Sequence, residues 1–150
     1  MLRYQLYECN GEKIPVEKEI NFLKDYVDLQ KLRTDEKYSV QLNCSPDVKG
    51  FSIEPILLIP FVENSFKHIS HFRDSRLNEI KIDITRKNGE MIFSVFNTTE
   101  NIEQQLKEEG GIGLTNVKRR LELLYPGKHQ LEVEKKNDSF AIKLILATDN

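Results

Sequence analysis

The plainest pattern along the chain lies in "EIKIDITRKNGEMIFSVFN", where Ile80, Ile82 and Ile84 alternate with polar residues and an apolar run returns after Asn88-Gly89. Alternation with a period of two describes a strand buried on one face. Asn-Gly supplies two residues that accept the positive φ of a type I′ turn, so a β-hairpin is predicted here. A second pair of strands, "HQLEVEKK" and "SFAIKLILA", is predicted around a turn at Asn137-Asp138. Nearer the start, "KYSVQLNC" alternates Tyr38, Val40 and Leu42 with polar neighbours, and "SPDVKG" then supplies turn residues. One half-buried strand is expected there.

Helical spacing governs three other stretches. After Pro15, "VEKEINFLKDYVDLQKLR" sets Ile20, Leu23 and Val27 on one stripe, with acids early and Arg33 late, as the helix dipole favours. From Pro55 to Ser70, Ile59, Val62, Phe66 and Ile69 fall at steps of three and four, which predicts a helix with an irregular first turn before Pro60. Leu114, Val117, Leu121 and Leu124 mark a third helix, stopped by Pro126-Gly127. Before it, Thr98 to Glu109 is polar and runs into Gly110-Gly111-Ile112-Gly113, which reads as a mobile loop or lid. The order helix, strand, helix, hairpin, loop, helix, hairpin predicts an α+β fold. Its form is a two-layer α/β sandwich with a mixed, mostly antiparallel sheet and helices on one face.

Composition narrows the function classes. A chain of 150 residues with 39% hydrophobic and 31% charged content suits one ordinary core. No run approaches the ~18 apolar residues that span a bilayer. The net charge of -2, with both signs interspersed, provides no basic field for a nucleic-acid backbone, so no nucleic-acid partner is expected. Cys9 and Cys44 are isolated thiols without metal-ligand spacing, which favours a reducing, cytoplasmic setting. The opening Met-Leu-Arg-Tyr lacks the pattern of a secretory signal, and an anchor upstream of it stays open.

Chemistry concentrates in "PFVENSFKHIS". On a helix advancing about 100° per residue, Glu63, Asn64, Lys67 and His68 form two neighbouring i, i+4 rows, with Ile59, Val62, Phe66 and Ile69 almost opposite. Such a ridge can hold a metal ion beside a phosphate. It can equally be a solvated face on which Glu63 and Lys67 make a pair worth a few tenths of a kcal/mol. Asn64, a mediocre helix former in mid-helix, is the residue the solvated reading does not need. The glycines from Gly110 to Gly113 precede a helix whose first amides lack intrahelical partners, a place where backbone can approach an anion closely. A plain helix lead-in uses the same residues. Asn97 ends the apolar strand "MIFSVF", either as a hydrogen-bonding side chain or simply as the start of a turn.

"PFVENSFKH" followed by "GGIGLTNVKRRLELLYPG" resembles the N box and second glycine box of the histidine-kinase ATP-binding domain, the GHKL or Bergerat fold. The wording is most similar to the LytS/YehU-like sensor kinases. "LRYQLYE" and "EINFLKDYVDLQKLR" also resemble the segment that joins the family's phosphoacceptor region to its ATP-binding domain, so the likeness runs over nearly the whole chain. It implies residues 1–14 as a linker from an upstream phosphoacceptor region and 15–150 as the ATP-binding catalytic domain.

The resemblance further implies ATP and Mg²⁺ as cofactors, with Glu63 as the catalytic acid near the γ-phosphate and Asn64 as the metal ligand. Lys67 and His68 would touch phosphate or ribose, and the amides of Gly111, Ile112, Gly113 and Leu114, with Asn116, would cradle the polyphosphate. Asn97 stands where the family has an adenine-binding Asp, and "FNTTEN" carries no glycine before Gly110. The implied function is phosphoryl transfer to a histidine on an upstream helical domain, with a response regulator as the downstream partner. The protein would be cytoplasmic here and membrane-linked only through its N-terminal part. The alternative is a degenerate module of the same fold that binds nucleotide weakly and acts through protein contacts.

Overall fold

The structure is a computed structural model that describes residues 12–33, 37–100 and 112–148. Its main sheet has five strands: β2 (Ser39–Cys44), β4 (Glu79–Lys87), β5 (Glu90–Thr98), β6 (His129–Lys136) and β7 (Ser139–Ala147). They lie in the order β2-β4-β5-β7-β6. β2 pairs with β4 in parallel, and the other three pairings are antiparallel. Two short strands, β1 (Ile14–Pro15) and β3 (Ser52–Ile53), form a separate antiparallel ribbon. The helices are α1 (Val16–Leu32), α2 (Ile59–Lys67) and α3 (Ile112–Leu124).

Both predicted hairpins are present. In the first, Asn88 and Gly89 carry φ of 53° and 77°, the positive pair that a type I′ turn requires. The alternation works as expected: Ile80, Ile82 and Ile84 of β4 and Met91, Phe93 and Val95 of β5 are buried together with Phe140, Ile142, Leu144 and Leu146 of β7. Against this face pack Ile20, Leu23 and Val27 of α1, Ile59 and Val62 of α2, and Leu114, Val117 and Leu121 of α3, in one continuous core. Each such side chain contributes about 1.5–3 kcal/mol of transfer free energy on burial. Phe61 of α2 meets Phe93 of β5 with ring centroids 6.1 Å apart.

The helix expected from Pro55 to Ser70 is shorter than that. Only Ile59–Lys67 is helical, because Pro60 fits the first turn alone and Ile56 sits at φ 57°, in the left-handed region. Its buried face also differs from the expected one. Phe61 and Ser65 are buried beside Ile59 and Val62, whereas Phe66 is half-buried and turned toward α1. There its ring lies edge-on to Tyr26 at 5.8 Å and tilted against Tyr38 at 6.1 Å. Past the helix, buried Asn78 anchors the returning chain: its amide donates to the carbonyls of Lys37 and Phe72 and accepts from Ser70 Oγ and the Phe72 amide. The polar stretch expected to be a lid lies mostly outside the described residues.

Candidate functional site

A cavity of about 980 Å³ opens between α1, α2 and α3. That volume lies at the upper end of the range for small-molecule sites. One wall is the predicted ridge: Glu63, Asn64, Lys67 and His68 all line it. The short helix presents them because its opposite side is committed to the core. The facing wall is α3, which contributes Leu114, Asn116, Val117 and Arg120. Tyr26 and Gln30 of α1 close one end, and Ile56, Pro60 and Phe66 complete the lining.

Six of the residues singled out from sequence therefore converge: Glu63, Asn64, Lys67, His68, Leu114 and Asn116. Ile112 and Gly113 form the first turn of α3, and Gly111 lies outside the described residues. Asn97 is buried and forms no part of the cavity wall. Its Nδ2 donates to the Thr98 carbonyl at 3.1 Å and to the His68 carbonyl at 3.4 Å, so it sits under the end of α2.

Electrostatics distinguish two groups at the end formed by α1. Glu63 is an exposed residue, yet partial burial of its carboxyl raises its pKa above the ordinary value of 4.5. The Tyr26 hydroxyl is pushed up to about 12, first by burial and then by the nearby Glu63 carboxylate, so it is a neutral hydrogen-bond donor at any physiological pH. Arg120, also on the lining, donates from Nη1 to the Ile56 carbonyl at 2.9 Å and from Nη2 to the Pro55 carbonyl at 3.0 Å.

Among the described residues, no three His, Cys, Asp or Glu side chains gather to hold a metal by themselves. The adjacent carboxylate and amide oxygens of Glu63 and Asn64 nevertheless fit Mg²⁺. That cation prefers oxygen donors, keeps several waters and is usually bound through one or two side chains plus phosphate oxygens. Sequence reasoning missed Tyr26, Gln30 and Arg120. Tyr26 and Gln30 are four apart on α1, as Asn116 and Arg120 are on α3. That spacing shows shared faces but gives no sign that the two faces meet.

This fold has counterparts among known proteins. The solved chain of histidine kinase AdeS from Acinetobacter baumannii superposes with a TM-score of 0.66 at 13% identity, covering 99% of this chain and 73% of that one. The catalytic domain of histidine kinase ThkA superposes with a TM-score of 0.62 at 12% identity, covering 91% of this chain and 95% of that one. The fold is that of these histidine-kinase catalytic domains.

Sequence narrows the class. The chain is 26% identical to the sensor protein LytS of Bacillus cereus over 132 residues, which is 81% of this chain and 22% of that protein. It is 31% identical to the sensor protein kinase HptS of Staphylococcus aureus over 85 residues, 57% of this chain and 16% of that one. The family described as Histidine kinase matches over residues 1–38. The chain is thus similar to sensor histidine kinases in sequence and to histidine-kinase catalytic domains in fold. It spans about a fifth of the length of these curated relatives.

Proposed function

We propose that the cavity binds Mg·ATP and positions it for phosphoryl transfer to a histidine carried by an upstream helical domain, with a response regulator as the next acceptor. The observation that carries this reading is the convergence of the ridge from Glu63 to His68 with the first turns of α3 around one cavity of nucleotide size.

In this reading Asn64 would hold Mg²⁺, whose chemistry would be to neutralise phosphate charge. Lys67 supplies a point charge for phosphate oxygens, and His68 contacts phosphate or ribose. The unpaired amides at the start of α3, at Ile112, Gly113 and Leu114, face the polyphosphate, with Gly111 before them and Asn116 behind. Glu63, with its carboxyl partly desolvated, orients the incoming imidazole and takes a hydrogen bond from it. Asn97, matched to the adenine-binding position, lies buried behind the cavity wall with Nδ2 on backbone carbonyls, so any adenine contact would have to reach its Oδ1 past the end of α2. Catalysis is then mainly positioning and charge neutralisation. Residues 1–14 serve as the link to the phosphoacceptor region, and the domain works on the cytoplasmic side of a membrane-linked kinase.

Calorimetric titration with ATP, with and without Mg²⁺, tests the proposal. Mg²⁺-assisted binding is expected, and Asn64→Ala should weaken it about tenfold or more, the loss of roughly 1.4 kcal/mol. Heat indistinguishable from buffer would favour a degenerate module that keeps the fold and acts through protein contacts.

A further inference from the structure

The segment that leads into α2, from Glu54 to Leu58, is held by side chains from two other helices and their surroundings. The amides of Ile56 and Leu58 donate to Oε1 and Oε2 of Glu19, each at 3.0 Å, and Glu19 is fully buried on α1. The carbonyls of Pro55 and Ile56 accept from Arg120 of α3 at 3.0 and 2.9 Å. The Glu54 amide donates to Tyr125 Oη at 3.0 Å. A carboxylate thus accepts from the N–H of Ile56 and a guanidinium donates to its C=O, so the residue's polar groups lie in the field between opposite charges. That field favours the orientation its φ of 57° requires, a conformation that costs a β-branched residue steric energy. Backbone strain of this kind persists only where the surroundings over-determine it.

The clamp adjoins the cavity. Ile56 and Arg120 line it, and Pro60 opens α2 one turn before Glu63 and Asn64. Because Arg120 rides on the helix whose first turn faces the cavity, one side chain ties the position of α3 to the set of α2. We propose that Glu19 and Arg120 are positioning residues for the nucleotide site: they fix the lead-in loop of α2 and couple the metal-ligand end to the glycine-turn helix. The inference rests on the function proposed above.

Amide hydrogen exchange and calorimetry on the chain with Arg120→Lys and Arg120→Met test it. Lysine replaces the planar fork of two nitrogens with one compact ammonium, so even Arg120→Lys should speed exchange at the Ile56 and Leu58 amides at least tenfold, although their acceptor is Glu19. Unchanged exchange overturns the inference whether or not nucleotide binds. With Mg·ATP, Arg120→Met should lower affinity about tenfold while binding of ATP without Mg²⁺ changes less than threefold, and adding Asn64→Ala should bring no further loss. Equal losses with and without Mg²⁺, or fully additive ones, would overturn the coupling. Should Arg120→Met fail to fold by circular dichroism, the same titrations on Arg120→Lys decide. A complete lack of Mg·ATP binding by the unsubstituted chain overturns the proposed function and leaves the exchange result to judge the clamp.

Discussion

Among the described residues, two positions other than glycine adopt left-handed backbone, Asn88 at φ 53° and Ile56 at φ 57°. Their torsions are nearly the same and their support is not. Asn88 lies at an exposed hairpin tip beside Gly89, and both residue types tolerate the conformation intrinsically. Ile56 is buried, β-branched and gripped by Glu19 and Arg120, side chains 37 and 64 positions away. Where local preference agrees with the fold, a turn forms from its own residues. Where it disagrees, distant charges must impose it, and in this molecule that happens beside the cavity.

The largest expected effect breaks the distant support. Glu19→Ala would leave the buried amides of Ile56 and Leu58 without acceptors, a loss of about 3 kcal/mol or more by urea unfolding. A stability within about 0.5 kcal/mol of the parent, the scatter of ordinary surface changes, would mean the clamp holds nothing. Next, Ile56→Gly and Ile53→Gly remove the same side chain from buried positions, but only the first relieves a left-handed torsion. Ile56→Gly should therefore cost about 1–2 kcal/mol less. At the other turn, Gly89→Ala faces open space for its Cβ but keeps φ 77°, so a loss of about 1 kcal/mol with no change in nucleotide binding is expected from parallel unfolding and titration curves.

The smallest effect concerns Glu63. Its folded pKa is raised, so its contribution is fully present below the unfolded value, near 4.5, and is lost as pH rises through the folded value. Relative to Glu63→Gln, the parent should lose stability as pH climbs from about 4.5, a divergence that paired thermal melts across that window would register. Curves that stay parallel would place the carboxyl in bulk water.

Much of the fold was legible because its periodicities are local. The alternating isoleucines of β4 declare one buried face, the Asn88-Gly89 pair declares an exposed turn, and Leu114, Val117 and Leu121 declare the buried stripe of α3, although Leu124, expected on that stripe, is exposed. The ridge from Glu63 to His68 was legible for the same reason, since i, i+4 spacing fixes a shared side. The hidden parts depend on which faces meet. Nothing in the spacing of Tyr26 or Arg120 points to α2, because their partners are backbone carbonyls and a ring brought near by the crossover between β2 and β4. The left-handed Ile56 was hidden for a related reason: isoleucine opposes that conformation, and only the assembled charges override it.

The parallel pairing of β2 with β4 joins positions 40 apart in the chain, with the lead-in loop and α2 spanning the gap, whereas each hairpin closes across two residues. Loop-closure entropy makes distant pairings slow to nucleate and adjacent ones quick. Folding is therefore expected to form the hairpins and α3 first and to add the wall bearing Glu63 and Asn64 afterwards, an order that pulsed hydrogen exchange during refolding would check.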